Sequence, residues 1–167
     1  MTIKEICDVL RSKLYNKSFE YGFIVDGKKY KPNMENGFDS EYYHLSMTIY
    51  TVQDPYVTLK EKIGTCVDAV LVMKSTLDNL NIPSKIWLLY NKNKNKVHTI
   101  LTFDAESKII YLELTPQSAK PWYGQEIIYS NEQELLQEYE RNDYDISDVT
   151  NLVTIGERPY FLLDRLN

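Results

Sequence analysis

The chain is poor in the residues from which reactive and metal-bearing sites are usually built. Its 167 residues include two cysteines and two histidines. Cys7 and Cys66 are too few for a disulfide framework, and no Cys/His spacing fits a zinc site, so neither metal nor other cofactor is expected. Long apolar runs are missing too: none approaches the roughly 20 residues that a membrane span requires. The segment Met1-Thr2-Ile3-Lys4-Glu5-Ile6-Cys7 is charged and amphipathic and lacks the apolar core of a signal peptide. A cytoplasmic protein is therefore expected, with release as an effector by another route left open. Positive charge is not in excess either. The formal net charge is -5, which argues against nucleic acid or an anionic membrane as the main partner. Without internal repeats or linkers, one domain over 1–167 is expected. It would have an N-terminal helix and hairpin over 1–54, a core over 55–129, and a C-terminal helix and edge elements over 130–167.

What is present is an ordinary globular composition, 43% hydrophobic and 26% charged. Ile3, Ile6, Cys7, Leu10 and Leu14 recur at helical spacing, so 3–15 reads as a surface helix with Cys7 on its buried stripe. The run 19–30 contains Asp26-Gly27, a strong hairpin-turn dipeptide. A loop is expected over 31–41, with Asn36 and Gly37 in it. The pattern from 42 to 52 is ambiguous between strand and helix. After Asp54-Pro55, a short polar helix runs over 56–62. Beyond Pro83 the period switches to strands: 84–90, then 97–103 after a solvated Asn/Lys loop, a hairpin turn over 104–108, and 109–114. Further on, 117–125 reads as a loop, 127–129 as a short strand and 131–141 as an acidic surface helix. Short elements at 152–155 and 160–163 are expected to pack on the sheet edge.

The stretch that concentrates the chemistry is Lys62-Ile63-Gly64-Thr65-Cys66-Val67-Asp68-Ala69. Thr65 reads as the N-cap of a helix over 65–80, and Asp68 completes a capping box. Cys66 then lies in the first turn, where free N–H groups and the helix dipole favour an anion such as a thiolate. Val67, Ala69 to Met73 and Leu77 make the helix apolar almost all round, as a buried central helix requires. A free cysteine before such a helix is equally compatible with a small apolar core residue. The choice turns on whether a base and an orienting group are at hand. His98 opens the second strand after the helix and Glu113 lies near the end of the third. The turn over 104–108 pairs 103 with 109 and 99 with 113, and small variations of that turn bring Glu113 opposite or diagonal to His98. Nucleophile, base and orienting carboxylate then follow in chain order. His98 as a hydrogen-bonded structural histidine, and Glu113 as a solvent-facing edge residue, are the competing readings.

Lys62-Ile63-Gly64-Thr65-Cys66, Asn81-Ile82-Pro83-Ser84-Lys85, His98 and Leu112-Glu113-Leu114-Thr115-Pro116, in that order, resemble the transglutaminase-like superfamily. The resemblance covers residues 55 to 117. It implies an α+β fold, a papain-like/transglutaminase-like core whose central helix starts at the cysteine and packs on an antiparallel β-sheet. It also implies a cysteine-dependent acyl-transfer enzyme acting on amide bonds of a protein or peptide, as peptidase, amidase, deamidase or transglutaminase, with a Cys66-His98-Glu113 triad. Two departures stand out: Glu113 replaces the usual aspartate, and His98 is followed by Thr99-Ile100 without the tryptophan common two residues on. They motivate an alternative, a catalytically inactive module that keeps the fold for protein binding. For the oxyanion, the Cys66 N–H is one natural donor, and Gln53 and Tyr56 are candidates for the second. Trp122 either walls the acyl site or packs in the core.

Overall fold

The computed structural model describes residues 1–15, 18–35 and 39–166; Asn36 and Gly37 of the expected loop lie outside the described residues. The first element is α1 (Ile3–Leu14), closed by a capping box between Thr2 and Glu5. Ile6, Cys7, Leu10 and Leu14 form its buried stripe. Cys7 is thus a core residue, and burial pushes its thiol up to about 11.

Three short strands follow, β1 (Glu20–Tyr21), β2 (Phe23–Val25) and β3 (Lys28–Tyr30). Asp26 and Gly27 both take positive φ and join β2 to β3 in the hairpin that their sequence favours. Gly22 separates β1 from this hairpin. Its φ is +151°, and a Cβ there would stand 2.3 Å from the Tyr30 carbonyl oxygen. The break frees β1 to pair in parallel with β4 (Ile63–Gly64), which sets Tyr21 level with Gly64.

The ambiguous stretch from 42 resolves into α2 (Ser40–Thr48), N-capped by Asp39. Then comes α3 (Pro55–Glu61), capped by Asp54 with proline in its first turn, where a missing N–H costs nothing. Lys62 adopts a left-handed conformation and turns the chain into β4. The central helix is α4 (Cys66–Asn79), with both halves of the Thr65–Asp68 capping box formed. Val67, Ala69, Val70, Val72, Met73 and Leu77 are all buried along it.

The sheet is antiparallel and comprises β5 (Ser84–Asn91), β6 (Lys96–Ala105), β7 (Lys108–Leu112), β8 (Glu126–Tyr129) and β9 (Tyr144–Asp148), in the order β8-β7-β6-β5-β9. One face buries Ile86, Leu88, Leu101, Phe103, Ile110 and Leu112 with α1 and α4. The other buries Trp87, Leu89, Ile100 and Tyr111 with Leu135 of α5 (Glu132–Arg141). Covering both faces accounts for strands that are apolar on both sides. At roughly 1.5–3 kcal/mol per buried large side chain, the α4–sheet seam is a rigid platform for the residues at its end.

Three details differ from the sequence reading. The β6–β7 turn is two residues, Glu106 and Ser107, both with positive φ. The strand expected to reach Leu114 ends at Leu112, where Glu113 leaves the ladder and its carbonyl accepts from Gly124 N–H at 2.8 Å. And β9, a half-buried polar edge strand, was not expected at all. A 3-10 turn (Thr150–Leu152) and α6 (Tyr160–Leu166) close the chain, with Leu152 and Ile155 exposed. Among the described residues, no helix is long and apolar enough to cross a membrane.

Candidate active site

The N-terminus of α4 is fixed by a buried polar knot around Asp68. Its carboxylate accepts from Thr65 N–H (2.9 Å), Gln53 N–H (2.9 Å) and the Tyr50 hydroxyl (2.7 Å). Burial pushes this carboxyl up to about 6, against the pull of those donors. Gly64 packs tightly immediately upstream: a Cβ there would stand 3.0 Å from Thr58 Cγ2 and 3.1 Å from Asp68 Cβ. Cys66 itself is only partly buried, so the first residue of a rigid helix presents a reachable thiol.

His98 lies in the first half of β6. The β6–β7 pairing covers only Thr102–Ala105, so the flank of β6 beside His98 carries no strand. Glu113, having left the ladder after Leu112, fills that flank. Its Oε1 lies 2.6 Å from His98 Nε2. The observed register, Phe103 with Ile110, is shifted by one residue from the expected 103 with 109; continued, it sets Glu113 level with Ile100 and diagonal to His98, on the same face. Glu113 is 2% exposed, and its second oxygen accepts from the Thr115 hydroxyl at 3.4 Å. An isolated carboxylate at that depth would be costly, so the imidazolium and the carboxylate compensate each other.

With Nε2 turned to Glu113, the other ring nitrogen is left for sulfur, and Cys66 is near enough to act on the ring. Burial by itself disfavours the charged ring. The interactions with Cys66 and Glu113 outweigh it and hold His98 up at about 9. At neutral pH the ring therefore carries its proton, as an acid must before it can donate to a leaving group.

The remaining sequence candidates fall elsewhere. The Gln53 amide is consumed in the scaffold: its oxygen accepts from Ile24 N–H (2.8 Å), and its NH2 donates to the Thr58 hydroxyl (3.0 Å) and the Ile63 carbonyl (3.0 Å). Tyr56 is 69% exposed on α3, with Lys60 over its ring. Trp122 packs in the cluster on the α5 face and donates to the Tyr111 hydroxyl at 3.2 Å, so the packing alternative describes it. Among the described residues, no three His, Cys, Asp or Glu side chains gather where they could hold a metal ion.

Two residues that the sequence did not single out do reach the site. Tyr21 lines the cleft beside Cys66, a consequence of the β1–β4 pairing that sets it level with Gly64. Tyr42 of α2 packs its ring 6.2 Å from that of Tyr21. Among 14 tyrosines, no local pattern distinguishes these two. The cleft they line has two arms. One, of about 890 Å³, contains Cys66 and is walled by Met47, Val67, Val97, Leu162 and Leu163. The other, of about 690 Å³, contains His98 and runs along 115–121. Tyr21, Pro32, Tyr42 and Lys96 border both arms.

No family model matches the chain, and no curated protein does. Among solved structures it is similar to LapG from Legionella pneumophila. The calcium-bound form is 16% identical over 99% of this chain and 81% of that one, with a TM-score of 0.45. The EGTA-treated form is 14% identical over 98% and 79%, with a TM-score of 0.46. Likeness of this degree assigns neither family nor activity, and the site stands on its own geometry.

Proposed function

We propose that the chain is a cysteine-dependent acyl-transfer enzyme, of the transglutaminase-like and papain-like kind, acting on amide bonds of a peptide or protein. Cys66 is the nucleophile, His98 the acid and base, and Glu113 the residue that orients and charges His98. The observation that carries this reading is the His98–Glu113 contact of 2.6 Å on a ring that Cys66 also influences, with Cys66 and His98 lining adjoining arms of the cleft. The ordered pattern around Cys66, Pro83, His98 and Glu113 that resembles the superfamily supports it as well.

In the forward half-reaction, Sγ attacks the carbonyl carbon while the His98 imidazolium stands ready to protonate the leaving nitrogen. In the return half, the neutral imidazole takes a proton from the incoming water or amine. The extra methylene of Glu113 relative to aspartate is taken up by its position, one residue beyond the end of β7 and diagonal to His98. This removes one motive for the inactive-module alternative, because the longer carboxylate still meets the ring.

The test is acyl-enzyme trapping. Wild-type protein and Cys66→Ala are incubated with an activated ester of a blocked glutamine, and intact masses are followed. A single acyl adduct on Cys66, absent from the variant, is expected. Release as the acid in buffer and as an amide with added primary amine separates hydrolysis from transamidation. Equal adduct formation in both proteins, or none in either, would overturn the proposal.

A further inference from the structure

A thiolate and a protonated imidazole are not sufficient for acyl transfer, because the carbonyl oxygen becomes negative as sulfur attacks. Preorganised donors must already face it. Gln53 and Tyr56 are excluded from that role by their positions, which leaves the Cys66 N–H in need of a companion donor. One group near Cys66 has no evident structural purpose. The Tyr42 hydroxyl is buried and has no hydrogen-bond partner among the described residues, although its ring borders both arms of the cleft. A buried hydroxyl left unpaired costs stability and calls for an explanation.

Resting on the acyl-transfer reading above, we propose that the Tyr42 and Tyr21 hydroxyls together bind the oxyanion, beside the Cys66 N–H. The geometry favours this pairing. The two rings lie side by side at 6.2 Å, beside the nucleophile and at the junction of the two arms. Burial, followed by the negative charge at Cys66, raises both hydroxyls above their ordinary value, which favours the protonated, donating form.

The step balances without any further reagent. The Sγ–C bond forms as the carbonyl π pair moves onto oxygen, and the two O–H groups donate to that oxygen. When the pair returns, the C–N bond breaks and the nitrogen leaves with the proton from His98.

The experiment compares wild type with Tyr42→Phe and Tyr21→Phe, each lacking a single oxygen. Three quantities are read: melting temperature, the rate of Cys66 alkylation by iodoacetamide, and kcat and KM for the acyl ester used above. Alkylation forms no oxyanion, so it reports the thiol alone. Expected for Tyr42→Phe are an unchanged or higher melting temperature, alkylation within a few-fold of wild type, and kcat lowered about 10²–10³-fold at similar KM. For Tyr21→Phe the same split between alkylation and kcat is expected. Retained kcat in both variants, or alkylation falling in step with kcat, would overturn the assignment while leaving the Cys66 nucleophile intact. A wild-type protein that alkylates at Cys66 but forms no acyl adduct would remove the acyl-transfer reading itself, and this inference with it.

Discussion

Replacing Glu113 by glutamine preserves the shape of the site and removes one charge. The carboxylate stands 2.6 Å from the ring nitrogen, so the charge centres of the pair are about 4 Å apart, and at an effective dielectric of about 20 their attraction is about 4 kcal/mol, or about 3 pK units. The glutamine oxygen can still accept from Nε2, and 19% of the His98 side chain is exposed to solvent, so a loss of about 1–3 units is the reasonable range. His98, held at about 9 in the native site, should then titrate between roughly 6 and 8 in Glu113→Gln.

Histidine ring NMR reads this directly, because the chain has only two histidines. His44 is exposed on α2 and serves as the internal reference. Turnover near pH 8 should fall far more than stability does, because less imidazolium remains to protonate the leaving group. An unmoved His98 curve in a folded variant would refute the reasoning. The carboxylate would then be a packed structural group and not the source of the ring's charge.

Other consequences are equally concrete. Asp68 has its carboxyl raised to about 6, above the ordinary unfolded value of about 4, so its contribution is present below about pH 4 and lost as pH rises through about 6, by about 3 kcal/mol. Urea midpoints at pH 3.5 and pH 7 for wild type and Asp68→Asn should show that difference, wild type losing ground to the variant as pH rises; a constant gap would refute it. Gly22→Ala sets a Cβ against the Tyr30 carbonyl and should cost roughly 2–3 kcal/mol in urea unfolding, whereas an unchanged midpoint would contradict the strained turn. Gln53→Ala should cost about 2–4 kcal/mol by orphaning buried partners, while kcat per folded molecule stays within a few-fold; a 10²-fold loss of kcat in folded protein would return Gln53 to the chemistry.

The parts of the fold legible in the sequence are those governed by local rules. The start of α4 follows from Thr65 and Asp68, and the β2–β3 hairpin follows from Asp26-Gly27. The meander of β5 to β7 follows from a change of period. Register was harder, because Glu106 and Ser107 make a two-residue turn that needs positive φ at both positions without the usual Asn or Gly. That shifts the pairing by one residue, yet the long Glu113 side chain still meets His98 on the diagonal. The edge strand β9 was hidden because Tyr144-Asp145-Ile146-Ser147-Asp148 carries too little apolar alternation to stand out. Gln53 was misread for a non-local reason: its partners Ile24, Thr58 and Ile63 come from separate segments. Tyr21 and Tyr42 reach Cys66 through a two-residue parallel pairing and a helix without buried residues, and neither leaves a periodic signature.

The central claim, that Cys66 is a nucleophile activated by His98, is tested most directly by iodoacetamide labelling at pH 7 with peptide mapping. Cys7 is the internal control, fully buried and with its thiol held up at about 11. Cys66 should label far faster than Cys7, and His98→Ala should slow Cys66 by about 10-fold or more, because a thiol without an imidazolium partner is only a few per cent thiolate at pH 7. Equal, slow labelling of both cysteines in the folded wild-type protein would contradict the account.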